Sequence, residues 1–369
     1  MIGIYAHHHG SGHVQRALSV AAVLDDEVTI LTSAAVPETA NPAPGRIGIL
    51  PIPLDHDGPG AVSGPVDPAA DATAGGRLHW APLRHGGLRK RMAVLAEWIA
   101  RHEPAVLWTD ISVEVTLAAR LTGTPVVSTV LPGERDDAPH TLAHGVCSAL
   151  VAGWPRAVGA PVPPGAERPL IPVGGVSRFA GRNPGRTGAT DRGGRPRVLH
   201  LRGSGGQDRD TRWDAVRQQL TDVEWIELGG PGGRWVADPW GEMCRADVVI
   251  SAAGQSSIAD LAAADAHVVA APEDRPFGEQ DATAAHLRHL GVPTVDRDHT
   301  AAELARVVEQ TLEQACSAAG AGSGLRDAWE VDGAAERLAA VLESVAAGSA
   351  CDAGRVGAVP GSAVPGAGR

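Results

Sequence analysis

The stretch Ala246-Asp247-Val248-Val249-Ile250-Ser251-Ala252-Ala253-Gly254-Gln255-Ser256-Ser257-Ile258-Ala259-Asp260 decides how this chain should fold. Val248 to Ser251 reads as a short buried strand, the small residues after it as a tight turn, and Ser256 to Ala264 as a helix. A strand running into a helix through a turn of small residues leaves the helix N-terminus open to an anion, because the first N–H groups have no partner and the helix dipole favours negative charge there. Asp260 falls one turn further along, where a carboxylate can accept both hydroxyls of a ribose. A second strand, His267 to Ala271, leads into Pro272-Glu273-Asp274-Arg275-Pro276-Phe277-Gly278-Glu279-Gln280. Glu279 and Gln280 open the next helix, and an acid beside an amide suits the several hydroxyls of a sugar. Singly, the serines read as helix caps and Glu279 as a first-turn acid. In this order they read as a binding site.

The same strand-and-helix rhythm extends in both directions. Upstream, strands are expected at Arg197 to Leu201 and Val223 to Leu228, and helices at Gln280 to Leu290 and Ala302 to Gln314 follow downstream. The first half shows strands at Ile2 to Ala6, Val28 to Thr32, Ile47 to Ile52, Ala105 to Thr109 and Pro125 to Leu131, with helices near Val14 to Leu24, Leu88 to Arg101 and from about Val113. Alternation of this kind predicts parallel sheets covered by helices. Residues 181–196 contain a Gly- and Arg-rich run without apolar period, so the chain divides into residues 1–180, a linker at 181–196, and a second domain at 197–347. The Gly, Ala, Pro and Val of 348–369 read as a disordered tail, and Asp55 to Gly76 as a long loop or flap.

At 369 residues the chain is long enough for two domains of ordinary size. A net charge of -11 argues against general affinity for nucleic acid. Cys147, Cys244, Cys316 and Cys351 show no metal-site or disulfide spacing, which fits a reducing compartment. Met1 leads at once into a short alternating strand, unlike a secretory signal, and no segment is apolar for long enough to span a bilayer. The expectation is a cytoplasmic protein.

Two glycine turns complete the candidate site. His7-His8-His9-Gly10-Ser11-Gly12-His13-Val14-Gln15-Arg16 lies between a strand and a helix. As a dinucleotide fingerprint it is incomplete, since Gln15 stands where the third glycine belongs. Four histidines in seven residues suggest a metal, but alternation along a strand separates His7 and His9 from His8, and no carboxylate pattern nearby completes a site. No metal is expected. His13 stands at the mouth of the loop, where a neutral imidazole can take a proton. The second turn, Arg202-Gly203-Ser204-Gly205-Gly206, again follows a strand, and its backbone and Ser204 hydroxyl could cradle a phosphate.

On these residues, Arg202 to Gly291 resembles the C-terminal half of the bacterial N-acetylglucosaminyltransferases that complete lipid II, in glycosyltransferase family 28, and more broadly the metal-independent GT-B glycosyltransferases. The resemblance implies an α/β GT-B fold, two Rossmann-like domains facing across a cleft, with a nucleotide sugar held by the second. Ser204 and Gly205 match that family's first glycine loop of the C-terminal domain. Gly254, Gln255, Ser256, Ser257 and Asp260 match its loop-and-helix segment, in which an acid holds the ribose; Asp260 is shorter than the usual Glu. Glu279-Gln280 match its paired glutamines, and Trp235-Val236 the segment that covers the uracil. In the first half, Gly10, Gly12, His13 and Arg16 are also similar to a GT-B nucleotide-sugar hydrolase of sialic-acid-like sugar pathways, in which the matching histidine activates water.

The function so implied is inverting transfer of a sugar from a nucleoside-diphosphate sugar, UDP being the expected nucleotide, to an acceptor hydroxyl deprotonated by His13 or a nearby group. The nucleotide sugar is a substrate, and neither cofactor nor divalent ion is expected. A hydrolase or epimerase on the same fold, or a catalytically silent nucleotide-sugar binder, would use the same donor site; an NAD-dependent oxidoreductase would not. The acceptor is unknown. Leu83 to Arg91 mixes leucines with a basic cluster that could dock peripherally on anionic lipid at the inner membrane face, or grip a phosphorylated acceptor; the same run reads as a solvated helix start.

Overall fold

The computed structural model describes residues 1–8, 10–37, 40–55, 71–185, 194–203, 210–230, 233–318 and 321–349. Two parallel sheets carry the fold. The first has seven strands in the order β3-β2-β1-β4-β5-β6-β7: β1 (Ile2–Ala6), β2 (Val28–Thr32), β3 (Ile47–Pro51), β4 (Val106–Thr109), β5 (Val126–Val130), β6 (Ala149–Ala152) and β7 (Ile171–Pro172). The second has four, in the order β11-β10-β8-β9: β8 (Arg197–Leu201), β9 (Glu224–Leu228), β10 (Val248–Ser251) and β11 (Val268–Ala270). β1 and β10 are buried along their whole length, as strands covered by helices on both faces must be. The edge strands β3 and β9 are partly exposed.

The helices follow the strands: α1 (Gly12–Val23), α2 (Gly86–His102), α3 (Val113–Leu121) and α4 (Ala138–Val146) in the first half; α5 (Arg212–Gln219), α6 (Trp240–Arg245), α7 (Gln255–Ala263), α8 (Glu279–His289), α9 (Ala301–Ser317), α10 (Leu325–Ala328) and α11 (Ala334–Ala346) in the second. Local chemistry sets several starts. Asp137 caps α4, and Thr300 with Glu303 closes a reciprocal capping box on α9.

The sequence rhythm misses β6, β7, α4, α5, α6, α10 and α11. These are short elements or helices whose partners lie far along the chain. α11 belongs by sequence to the second domain, yet Leu338, Val341, Leu342 and Val345 pack into the core of the first, with Ile2, Ile4, Val106 and Val151. Burying four such side chains contributes roughly 6–12 kcal/mol before entropy is counted. Leu170 and Phe179 join the core beneath the second sheet, so the chain crosses between the halves twice.

The basic run before and within α2 is divided. Arg84, Arg89 and Lys90 face outward, whereas Arg91 turns in to bond Tyr5, Ser33 and Asp55. Burial pushes the Tyr5 hydroxyl up to about 12, so it stays protonated. Among the described residues no helix is long and apolar enough to cross a membrane.

Candidate functional site

In an open parallel sheet, ligands bind where the strand order reverses, because the two loops there leave in opposite directions and open a crevice at the carboxyl ends. In the first sheet that point lies between β1 and β4, and in the second between β8 and β10. The chain following β1 carries Gly10 to His13, and the residue after β4 is Asp110. The residues after β8 are Arg202 and Gly203, and those after β10 are Ala252 to Gly254. All of these except Asp110 and the buried Ala253 line one cleft of about 540 Å³.

At its first-domain wall, His13 Nδ1 lies 2.7 Å from Asp110 Oδ2. The carboxylate accepts the ring N–H, so the lone pair stands on Nε2. Asp110 is fully buried, and its other oxygen accepts Arg16 Nη1 at 2.8 Å. Arg16 Nη2 donates across the cleft to Ser256 Oγ at 3.2 Å. Gly12 is required by the same approach, since a Cβ there would meet Ser256 Oγ at 2.5 Å. Asp110 was not among the sequence candidates. A polar residue directly after a buried strand was the available signal; its partner is 97 positions away.

The second-domain wall is the start of α7, with Gly254 at the cap and Gln255, Ser256 and Ser257 in the first turn. Gly254 offers no side-chain cap, which leaves the first N–H groups of α7 for a ligand. Gln255 is fixed by its Nε2 donating to Thr283 Oγ1 at 3.1 Å. Asp260 lines the cleft as well, but its oxygens already accept Ser177 Oγ at 2.7 Å and Arg178 Nε at 3.1 Å. Burial raises its carboxyl above the ordinary range, against the pull of Arg178.

Gln280 Oε1 accepts the Glu273 N–H at 2.7 Å, which turns its amide nitrogen toward the Gly254 turn. Glu279 lies 3.7 Å from Arg135 of the first domain. Trp235, 65% exposed, and Val236 form the outer lip beyond β9. Ser204 and Gly205 lie outside the described residues.

Against this cleft a second cavity of about 220 Å³ opens in the first domain, sharing Ile111 and Leu131 with it. His79, Trp80, Glu114, Arg135 and His140 line it, and Phe277 closes it from the second domain. Phe277 adopts a left-handed backbone at φ 63°, held by Glu134 N–H donating to its carbonyl at 2.8 Å.

Strand alternation does not govern the histidines. β1 ends at Ala6, and the His7 and His8 rings stack on one another, 4.6 Å apart, with Asp55 close to both.

Solved structures of similar shape span nearly the whole chain. The glycotransferase of kitacinnamycin matches with a TM-score of 0.60 at 17% identity, covering 93% of this chain and 98% of that one. MurG from Acinetobacter baumannii gives 0.56 at 16%, covering 93% and 99%. This chain has the GT-B fold. UGT89C1 of Arabidopsis thaliana, solved with UDP, is a further GT-B neighbour, at 0.59 and 13%, covering 94% and 99%. No protein-family model matches the sequence, and no curated protein does.

Proposed function

We propose that this GT-B protein is an inverting glycosyltransferase, moving a sugar from a nucleoside-diphosphate sugar, with UDP as the nucleotide, to an acceptor hydroxyl. The observation that carries the reading is the facing of two groups across one cleft: the His13–Asp110 pair on one wall and the open start of α7 on the other. His13 Nε2 takes the acceptor proton. The acceptor oxygen attacks the anomeric carbon, and the bond from that carbon to the diphosphate oxygen breaks on the opposite face, which inverts the centre. The electron pair leaves with the diphosphate.

Charge growing on the leaving group is met by the N–H groups of the first turn of α7, the Ser256 and Ser257 hydroxyls and the Arg275 guanidinium, all of which line the cleft. Glu279 and the Gln280 amide are placed for sugar hydroxyls, and Trp235-Val236 for the base. Asp260, held by Arg178 and Ser177, keeps lone pairs for a ribose hydroxyl. The adjoining cavity behind Ile111 and Leu131 supports a second substrate, which favours transfer over donor hydrolysis.

The test is thermal stabilisation across nucleotides, their sugars, NAD and NADP, followed by release of nucleoside diphosphate with and without candidate acceptors. A shift with UDP and its sugars, and UDP release that depends on His13 and rises with an acceptor, is the expected result. Stabilisation by dinucleotides alone would falsify the reading. UDP release indifferent to every acceptor would transfer it to a hydrolase.

A further inference from the structure

His79 and His140, which line the cavity beside the cleft, meet Asp137 in an arrangement that the transfer chemistry does not use. His79 Nε2, Asp137 Oδ2 and His140 Nδ1 converge: the carboxylate oxygen lies 3.3 Å from the first nitrogen and 2.9 Å from the second. All three donor atoms fall within 4.8 Å of one another. Around an ion bound tetrahedrally at about 2.0–2.2 Å, neighbouring ligand atoms stand roughly 3.3–3.6 Å apart, so a side-chain adjustment of a few tenths of an ångström brings Asp137 and the two imidazoles to a shared metal.

The three side chains are positioned by the backbone. Asp137 caps α4 with Oδ1 accepting the His140 N–H at 2.8 Å; His140 Nδ1 lies 2.9 Å from both carboxylate oxygens, and Oδ2 also reaches His79. His79 is anchored by its own N–H, donated to Glu114 Oε1 at 2.8 Å. Phe277 sets its ring edge-on to His140, 5.0 Å between centroids, and forms an apolar wall. The Arg135 guanidinium carbon lies 4.4 Å from the Phe277 ring centroid, with its Nη2 3.7 Å from Glu279. The other His-and-Asp group, His7, His8 and Asp55, lacks this fit, because Arg91 already holds Asp55 Oδ2 at 2.8 Å.

We propose that His79, Asp137 and His140 form a three-ligand site for a divalent transition metal, with its open position facing the cavity beside the donor cleft. Two imidazoles and one carboxylate select zinc or its neighbours over magnesium and calcium. The ion binds an oxygen of whatever occupies the cavity and fixes its orientation. Only that last use rests on the transferase reading; the site itself does not.

The experiment uses tag-free, full-length protein stripped by a chelator, then titrated with zinc chloride in a calorimeter and with cobalt chloride in a visible spectrometer. One equivalent of zinc with a micromolar or tighter Kd, and a cobalt absorption band of a nitrogen-and-oxygen site, is expected. Loss of an outer partner of a metal ligand costs about 10–100-fold in affinity, so His79→Ala and His140→Ala should weaken zinc by about 100-fold or more. Asp137→Asn keeps a good helix cap while removing the anionic ligand, which separates loss of metal from loss of fold. His8→Ala should bind as the parent does. No saturable zinc uptake, or uptake that survives Asp137→Asn and His79→Ala, overturns the proposal. Neither titration contains a donor or acceptor, so its failure leaves the transfer reading untouched.

Discussion

Arg16 and Ser256 meet across the cleft, Nη2 to Oγ at 3.2 Å, while the other arm of the same guanidinium holds Asp110 at 2.8 Å. One side chain thus ties the carboxylate behind His13 to the helix start on the opposite wall. Arg16→Met leaves Asp110 buried without its ion pair, a change that costs about 3 kcal/mol. Arg16→Lys restores the charge but not both arms. Urea unfolding should rank the parent above Lys and Lys above Met; equal midpoints would contradict the buried pair.

Asp110→Asn preserves the shape of the pair and removes its charge, so His13 is free to present the wrong tautomer. Transfer should fall by about 10²–10⁴-fold in kcat, judged by the same change in other oriented histidines. Stabilisation by nucleoside diphosphate should be unchanged, since Asp110 lies behind His13 and outside the lining of the cleft.

Gly12→Ala places a methyl group 2.5 Å from Ser256 Oγ and 2.9 Å from its Cβ. The two walls must part by a few tenths of an ångström or more, and transfer should fall at least about 10-fold. Ser256→Gly in the same chain removes the collision. Activity of the double variant above that of Gly12→Ala is the expected signature of contact between the walls.

Phe277→Ala opens the second cavity from the second-domain side and releases Arg135, whose guanidinium carbon sits 4.4 Å from the ring centroid. If the cavity takes the acceptor, its KM should rise about 10-fold while UDP-sugar hydrolysis without acceptor stays within twofold. A loss confined to donor binding would place Phe277 in the other site.

His200 lies on β8 against Trp213, and burial pushes its imidazole down to about 4, with Arg202 and Arg217 adding to the shift. A base depressed in the folded state leaves the unfolded chain binding more protons between about pH 6.5 and pH 4. Stability is therefore full above the unfolded value and is lost as pH falls toward the folded one. Between pH 7.5 and pH 5 His200 should account for about 2 kcal/mol of lost stability. His200→Leu should flatten the fall in urea midpoint over that range; an unaltered slope would contradict the burial.

The parts of this site visible in the sequence are those a single strand, turn and helix bring together. Gly254 to Asp260, Glu279-Gln280 and Gly10 to Arg16 each lie within one such unit, so periodicity and turn chemistry locate them. Asp110 could not be found that way, because pairing with His13 depends on β1 and β4 being neighbours in a sheet. Asp260 was visible as an acid one turn into a helix, but its capture by Ser177 and Arg178 comes from a segment some 80 positions upstream. The meeting of His79 with Asp137 and His140 is hidden for the same reason. The apolar stripe of α11 shows that the helix has a buried face, and nothing local says which sheet will cover it.

That helix also sets the order in which the protein can be finished. Translation completes the seven strands of the first sheet at Pro172, but Leu338, Val341, Leu342 and Val345 must still arrive before its core is closed. At 5–20 residues per second this is a delay on the order of 10–35 s, during which a growing chain carries an apolar flank with nothing over it. A ribosome that stops before Ala334 releases a polypeptide with every strand of both sheets made and one core open to water, a natural client for a chaperone or a protease.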